Sequence, residues 1–354
     1  MYWALAILSL GFLIIVHEAG HYLVARWCGM HVEQFSIGFG PAIRGLTWRS
    51  KGGTQFQIAP IPFGGFVNIR GMNILEEVDP EDRQSYANRP AWQRFLTIFA
   101  GPATNYLSAV VLMFALFTCK GVRSTEKYFG VVDVLPGYDA VGKLEKGDRI
   151  LAVDGEKIFA HTGTGLTERV VAKKGAPVTL TVKRDDKLVD LAITPKTYVD
   201  WWRGDEDKPS YLLGITRNVQ FDWVEIGVLE AAKHAVVYPV EQTKHIVGMF
   251  AGIIGGTEQA DPGGPKRIVE EFKNAFQFSM VAGIELLAAL SVYLGLFNLF
   301  PIPALDGGRL VFLTYEMVTR RRANPKIEAM IHMGGIMVLG VVMILVTLRD
   351  CHVI

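Results

Sequence analysis

The chain has 354 residues, 50% of them hydrophobic and 20% charged, with a formal net charge of +1. That balance excludes a nucleic-acid binder, which carries a basic surplus, and points to a membrane protein. Three cysteines (Cys28, Cys119 and Cys351) stand far apart without metal-type spacing. No disulfide framework is expected, and any metal site must draw on histidine and carboxylate ligands.

In chain order, the first element is an apolar run from Tyr2 that continues through His17-Glu18-Ala19-Gly20-His21 to Ala25. No Lys or Arg precedes it and no small-residue cleavage site follows Val16, so it reads as a retained span over about 2–25 rather than a signal peptide. Residues from about 35 to 70 read as a re-entrant β region. Within it, Gln55–Ile58 and Phe63–Ile69 alternate like strands, and Gly64-Gly65 permits close backbone approach. A second span over about 91–119 completes the first half of a membrane domain, residues 1–119. A third span at about 276–299 and a fourth at about 327–348 form its second half, residues 271–354. Each approaches the roughly 20 apolar residues that a spanning helix needs.

Between these halves, residues 120–221 read as a soluble β-rich domain. The hairpin across Asp185-Asp186 is the clearest signal: Val178, Leu180 and Val182 alternate on one side, Val189, Leu191 and Ile193 on the other. Thr164–Ala172 fits a short helix. Residues 222–270 then read as an amphipathic helix from Trp223 to Phe250, followed by a Gly- and Pro-rich linker. Arg26, Arg44, Arg49, Lys51, Arg70, Arg83 and Arg89 follow the first span, and Arg309, Arg320, Arg321, Arg322 and Lys326 follow the third. Positive charge near span ends marks the cytoplasmic side, so both termini and the β-rich domain are expected to face outward.

His17 and His21, four residues apart on a helix, are separated by roughly 40° and about 6 Å of rise, so both rings can reach one metal ion. Glu18 beside them can take a proton from a water that the metal acidifies towards a pKa of about 7. Charged side chains inside a span cost about 2.5–3.5 kcal/mol each, so they face a protein interior or a polar cavity. A catalytic zinc usually takes three protein ligands. The candidate for the third is Asp306, in the run Asn298 to Gly308 that ends the third span on the same side as the His pair. Pro301 and Pro303 stop that helix, and Gly307-Gly308 let the chain turn sharply. A polar cluster between helices, and an Asp306 that merely caps the next helix, are the competing readings. Asn105 and Asn298 are candidates to hydrogen-bond a substrate backbone, or else to pair helices. Glu285 lies in the outer half of the third span, too far away to be a ligand, and His332 faces no recognisable partner.

Five motifs stand in order along the chain: His17-Glu18-Ala19-Gly20-His21; Gly38-Phe39-Gly40-Pro41; Pro62-Phe63-Gly64-Gly65-Phe66-Val67; Phe99-Ala100-Gly101-Pro102 with Asn105; and Asn298 to Gly308. Together they resemble the bacterial site-2 proteases, which are intramembrane zinc metalloproteases. The resemblance implies His17, His21 and Asp306 as Zn2+ ligands and Glu18 as the base. It also implies that residues 120–221 are a permuted PDZ-like domain outside the cytoplasmic membrane, with Leu213-Gly214-Ile215 or Phe129-Gly130-Val131 as the loop for peptide C-termini. Two departures stand out: only one PDZ-like module fits, and the segment before the third span carries Lys266 and Arg267 where the family is apolar.

The expected fold is therefore a polytopic α-helical membrane protein with four transmembrane helices and an inserted extracytoplasmic α+β PDZ-like domain. The expected function is hydrolysis of a peptide bond within the transmembrane segment of single-span proteins, after a first outer cut. The family implies anti-sigma factors and remnant signal peptides as substrate classes. A non-enzymatic receptor or scaffold built on the PDZ-like module is the rival, although it would need no Glu18. A metal transporter would spread its ionisable residues across the bilayer instead of gathering them on one side.

Overall fold

The computed structural model describes residues 1–73, 77–158, 165–198, 210–257 and 263–350. They divide into two units, Met1–Cys119 with Gly227–Ile354, and Lys120–Ile226. Cys351 lies outside the described residues, as does Thr164 at the start of the short helix expected there.

In the first unit, uninterrupted apolar runs form helices α1 (Tyr2–Trp27) and α2 (Ala91–Lys120). Among the described residues, four helices are long and apolar enough to cross a membrane: these two, Met280–Leu299 and Pro325–Asp350. Trp3, Trp27 and Trp92 are exposed near helix ends, where an amphipathic ring suits a membrane interface. The last of the four exposes Met330, Met333, Ile336, Met337, Val338, Val341 and Ile344. A contiguous apolar face of this kind is costly in water and costs nothing in lipid.

Between α1 and α2 lie strands β1 (Val32–Phe39), β2 (Thr47–Arg49), β3 (Gln55–Ile58) and β4 (Ile61–Ile69). They form one sheet in the order β2-β3-β1-β4. β1 runs parallel to β3, with Gln34 opposite Gln55, and antiparallel to β4, with Ile37 opposite Gly65. β4 is thus an outer strand. Its residue Gly65 lies directly on α1: a Cβ there would sit 2.9 Å from Ile14 Cγ2 and 3.3 Å from Glu18 Cγ.

The second unit holds β5 (Val122–Val134), β6 (Arg149–Val153), β7 (Glu156–Lys157), α3 (Gly165–Ala172), β8 (Val178–Arg184), β9 (Lys187–Ile193), β10 (Lys196–Tyr198), β11 (Ser210–Leu212) and β12 (Ile215–Val224). Its main sheet runs β12-β5-β6-β8-β9, with β7 paired to β6. Ile150, Val153, Val178, Leu180, Val182 and Ile193 form its core, with Leu166 and Val170 of α3. β12 continues to Val224, opposite Val122, so this unit ends later than position 221 and the following helix starts later than Trp223. Buried Asp148 accepts two bonds from the Arg184 guanidinium, at 2.8 and 2.7 Å, and one from the Glu145 amide.

The first unit resumes with α4 (Val228–Ile254), α5 (Pro265–Phe278), α6 (Met280–Leu299), α7 (Asp306–Thr319) and α8 (Pro325–Asp350). The span expected from Phe276 starts instead at Met280. Ser279 is extended (φ −166°, ψ 156°), and its hydroxyl accepts the Ala282 amide at 3.0 Å, which caps α6 and leaves Phe276 in α5. Phe272 and Phe276 are buried with Ala6, Leu13 and Leu287.

Candidate metal centre

His17 and His21 project from the last third of α1 towards α2, where Gly101 makes room for them. A Cβ on Gly101 would fall 2.3 Å from His21 Nε2 and 2.9 Å from His17 Cε1. Gly20 plays the same part from the other side, since a Cβ there would meet the Ala100 carbonyl oxygen at 2.3 Å. Thr104 Oγ1 donates to the Val16 carbonyl at 2.9 Å and ties the two helices at this level.

Asp306 arrives from the other end of the sequence. After α6, Pro301 and Pro303 break the helix and the chain doubles back. A Cβ on Gly307 would meet the Phe300 carbonyl oxygen at 2.0 Å, and one on Gly308 the Ile302 oxygen at 2.7 Å. The two glycines serve close approach rather than a sharp turn of their own. The left-handed residue is Ala304, at φ 79°, which costs roughly 1 kcal/mol or more for a residue with a Cβ. Leu305 holds the N-cap position of α7 with no side-chain cap, and Asp306 begins the helix.

The three side chains meet. His17 Nε2 is 3.2 Å and His21 Nε2 3.3 Å from Asp306 Oδ2, and the two ring nitrogens are 3.3 Å apart. Atoms bound tetrahedrally to zinc at about 2.0–2.1 Å stand about 3.3 Å from one another, so the triangle has the edge length that zinc requires.

Protonation leads to the same fit. His21 Nδ1 lies 2.8 Å from the Thr97 carbonyl, which can only accept, so Nδ1 carries a proton and the neutral ring has its lone pair at Nε2. His17 Nδ1 lies 3.0 Å from the Asn105 amide, whose Oδ1 is buried without a partner. Amide nitrogen and oxygen are interchangeable by a flip. With Oδ1 turned to His17, that ring also donates from Nδ1 and offers a lone pair at Nε2. Asp306 Oδ2 is likewise buried without a hydrogen-bond partner. With both rings neutral, three lone pairs face one another, an arrangement a cation relieves. His17, His21 and Asp306 form a group able to hold a metal ion, with Thr97 and Asn105 fixing the rings from behind.

This arrangement brings together side chains from α1 and α2, two of the apolar helices, and from the start of α7. The pattern defining peptidase family M50 matches residues 5–342. The chain belongs to peptidase family M50. It is a zinc metalloprotease of the site-2 type and a multi-pass membrane protein. Among its relatives, a protein of Brucella suis biovar 1 named "Putative zinc metalloprotease" is 35% identical over 328 residues, 86% of this chain and 83% of that one. Proteins of the same name from Agrobacterium fabrum and Fusobacterium nucleatum are 32% and 30% identical, covering 97% and 99% of this M50 chain and 94% and 98% of their own. A solved PDZ domain of an SdrC-like protein from Listeria innocua matches 26% of this chain and 93% of its own, at 24% identity and TM-score 0.22.

The other expected site residues fall in different places. Asn105 is fully buried against His17, so it faces a ring rather than an open cleft. The Asn298 amide donates to the Leu294 carbonyl within its own helix at 2.9 Å. Gly64 packs under the Phe39 ring, while Gly65 lies beside Glu18. Phe129-Gly130-Val131 cannot be a peptide loop, because Phe129 and Gly130 pair with β12 on one side and β6 on the other. Leu213 and Gly214 link β11 to β12, with Gly214 at φ 73° against the Tyr138 ring. Sequence reasoning missed Thr97 and His332. Thr97 acts through a backbone carbonyl, and His332 had only its polarity in an apolar span as a signal.

Proposed function

We propose that this M50 protease is an intramembrane endopeptidase that hydrolyses a peptide bond in the transmembrane segment of single-span membrane proteins. The observation that carries the proposal is the level of the site: the histidine pair and Glu18 sit on a helix apolar enough to span, beside the outer strand β4. His17, His21 and Asp306 would hold the zinc. At such a site zinc supplies Lewis acidity, which stabilises charge on a carbonyl oxygen and makes water acidic at neutral pH.

The chain's own residues do the rest. A substrate helix hides its carbonyls, so it must unwind before cleavage. The free side of β4 offers backbone groups on which the unwound segment adds as a strand, and Gly65 lets that strand lie close to Glu18. Glu18 takes a proton from the attacking water and returns it to the leaving amine nitrogen. The Arg and Lys near the span ends favour a cytoplasmic-side position for this chemistry in a bacterial inner membrane, with the β-rich unit outside. In that unit the turn Leu213–Ile215, outer strand β12 and helix α3 form the elements of a PDZ-like groove for peptide C-termini, the feature that links the enzyme to substrates already cut once. Anti-sigma factors and remnant signal peptides are the substrate classes this favours.

The test is Glu18→Gln in the full-length protein. Cleavage of a model single-span substrate should be abolished while zinc stays bound. A variant that still cleaves would refute the assignment.

A further inference from the structure

Among the described residues of α8, only His332 is buried. One turn further on, Gly335 closes on the loop that carries Asp306: a Cβ there would lie 2.4 Å from Pro303 Cβ and 2.7 Å from the Pro303 oxygen. His332 reaches the same loop on the same helix face. Its Nδ1 accepts the Ala304 amide at 3.2 Å, its Cε1 would be 3.2 Å from a Cβ on Gly308, and its ring lies 5.8 Å from that of Phe312.

Ala304 is two residues before Asp306 and holds an unfavourable left-handed φ of 79°. The loop's own bonds run from Ile302 to Phe300, Leu305 to Ile302 and Gly308 to Leu305; the Ala304 amide is taken by none of these. Left to itself, the Ala304 peptide would relax out of the left-handed region and swing Asp306 with it.

We propose that His332 is a positioning residue for the metal centre: by accepting the Ala304 amide it locks the strained turn that presents Asp306 to His17 and His21. The fourth span thereby clamps the third ligand without touching it. Accepting through Nδ1 requires the neutral ring with its proton on Nε2, an atom that is buried without a partner. This inference rests on Asp306 being a ligand, so that premise is tested alongside it.

The experiment compares zinc retention by the full-length protein in detergent under graded chelator competition, for wild type, His332→Leu, His332→Asn and Asp306→Ala. Circular dichroism and size-exclusion profiles report the fold. Loss of a partner behind a metal ligand weakens binding by about 10- to 100-fold, and His332→Leu should show a loss of that size. His332→Asn places an oxygen where Nδ1 was and should recover most of it. If His332→Leu holds zinc as tightly as wild type while Asp306→Ala releases it, the positioning role is overturned and the ligand stands. If Asp306→Ala also keeps its zinc, the ligand assignment itself falls. Should His332→Leu fail to fold, His332→Asn decides alone: folded with tight zinc supports the role, and folded with weak zinc overturns it.

Discussion

Gly101→Ala tests the packing of the metal centre, because at this position the helix preference of α2 and the space left for the histidine rings act in opposite directions. In the interior of α2, alanine is the better helix former by about 1 kcal/mol. The added methyl, however, would fall 2.3 Å from His21 Nε2 and 2.5 Å from its Cε1. Ordinary contact begins near 3.4 Å, so the ring must retreat by about 1.1 Å. His21 cannot retreat freely, since its Nδ1 is bonded to Thr97 on the same helix as the new methyl. A displacement of about 1 Å at reacting groups costs on the order of 100-fold in rate. Gly101→Ala should therefore lose about two orders of magnitude in cleavage of a single-span substrate, together with much of its zinc. Its helix content should stay unchanged, because the helix preference of alanine offsets part of the roughly 1–3 kcal/mol cost of overpacking. Gly11→Ala, on the same helix as the histidines but with nothing within 4 Å of its Cβ, is the control: it should match wild type in cleavage and zinc retention and should keep or raise its thermal unfolding temperature. Full activity and full zinc occupancy in Gly101→Ala would show that the rings are not held where the structure places them.

Asn105→Ala should weaken zinc retention by about 10- to 100-fold, because His17 loses the partner that orients its ring; chelator competition measures this, and unchanged affinity would mean that the ring is held without Asn105. In the β-rich unit, burial alone would raise the Asp148 carboxyl, but the Arg184 fork and the Glu145 amide outweigh it and hold it below the ordinary carboxylate value. A lowered folded value stabilises the unit above the unfolded pKa of about 3.9, and this stability fades as pH falls through the folded value. Protease resistance of this unit in the full chain should thus drop below about pH 4 in wild type. Asp148→Asn should cost about 2 kcal/mol at neutral pH and flatten the acid response; an equal acid response in both proteins would refute the assignment.

Much of the membrane architecture was legible because a span's length and apolarity are properties of the run itself. Where the α5–α6 boundary differed from expectation, hydropathy was continuous across it and only Ser279, a polar residue able to cap, marked the break. The parallel pairing of β1 with β3 had no local signal, since it joins segments about twenty residues apart through the sheet alone. The convergence of His17 and His21 followed from helical spacing, whereas the depth of Asp306 could be argued only from where the third span ended. The left-handed turn was placed at the wrong residues: glycine is the usual sign of positive φ, yet here Ala304 takes it and Gly307 and Gly308 serve close contact.

The residues that sequence reading missed share a physical cause. Thr97 holds His21 through a backbone carbonyl, and His332 holds the Asp306 loop through the backbone amide of Ala304. Backbone groups have no letter in a sequence, so a ring bonded to one looks partnerless until the chain is folded. The same feature explains why the centre is lined with glycine. Lipid gives packed helices no hydrophobic drive to associate, so they rely on close backbone approach and internal hydrogen bonds. Gly20 against the Ala100 carbonyl and Gly101 against the histidine rings supply that approach at the level where polar atoms must be satisfied. A side-chain substitution at Thr97 leaves its carbonyl in place. The vulnerable positions are therefore the small residues that set the distance and the rings that reach across it.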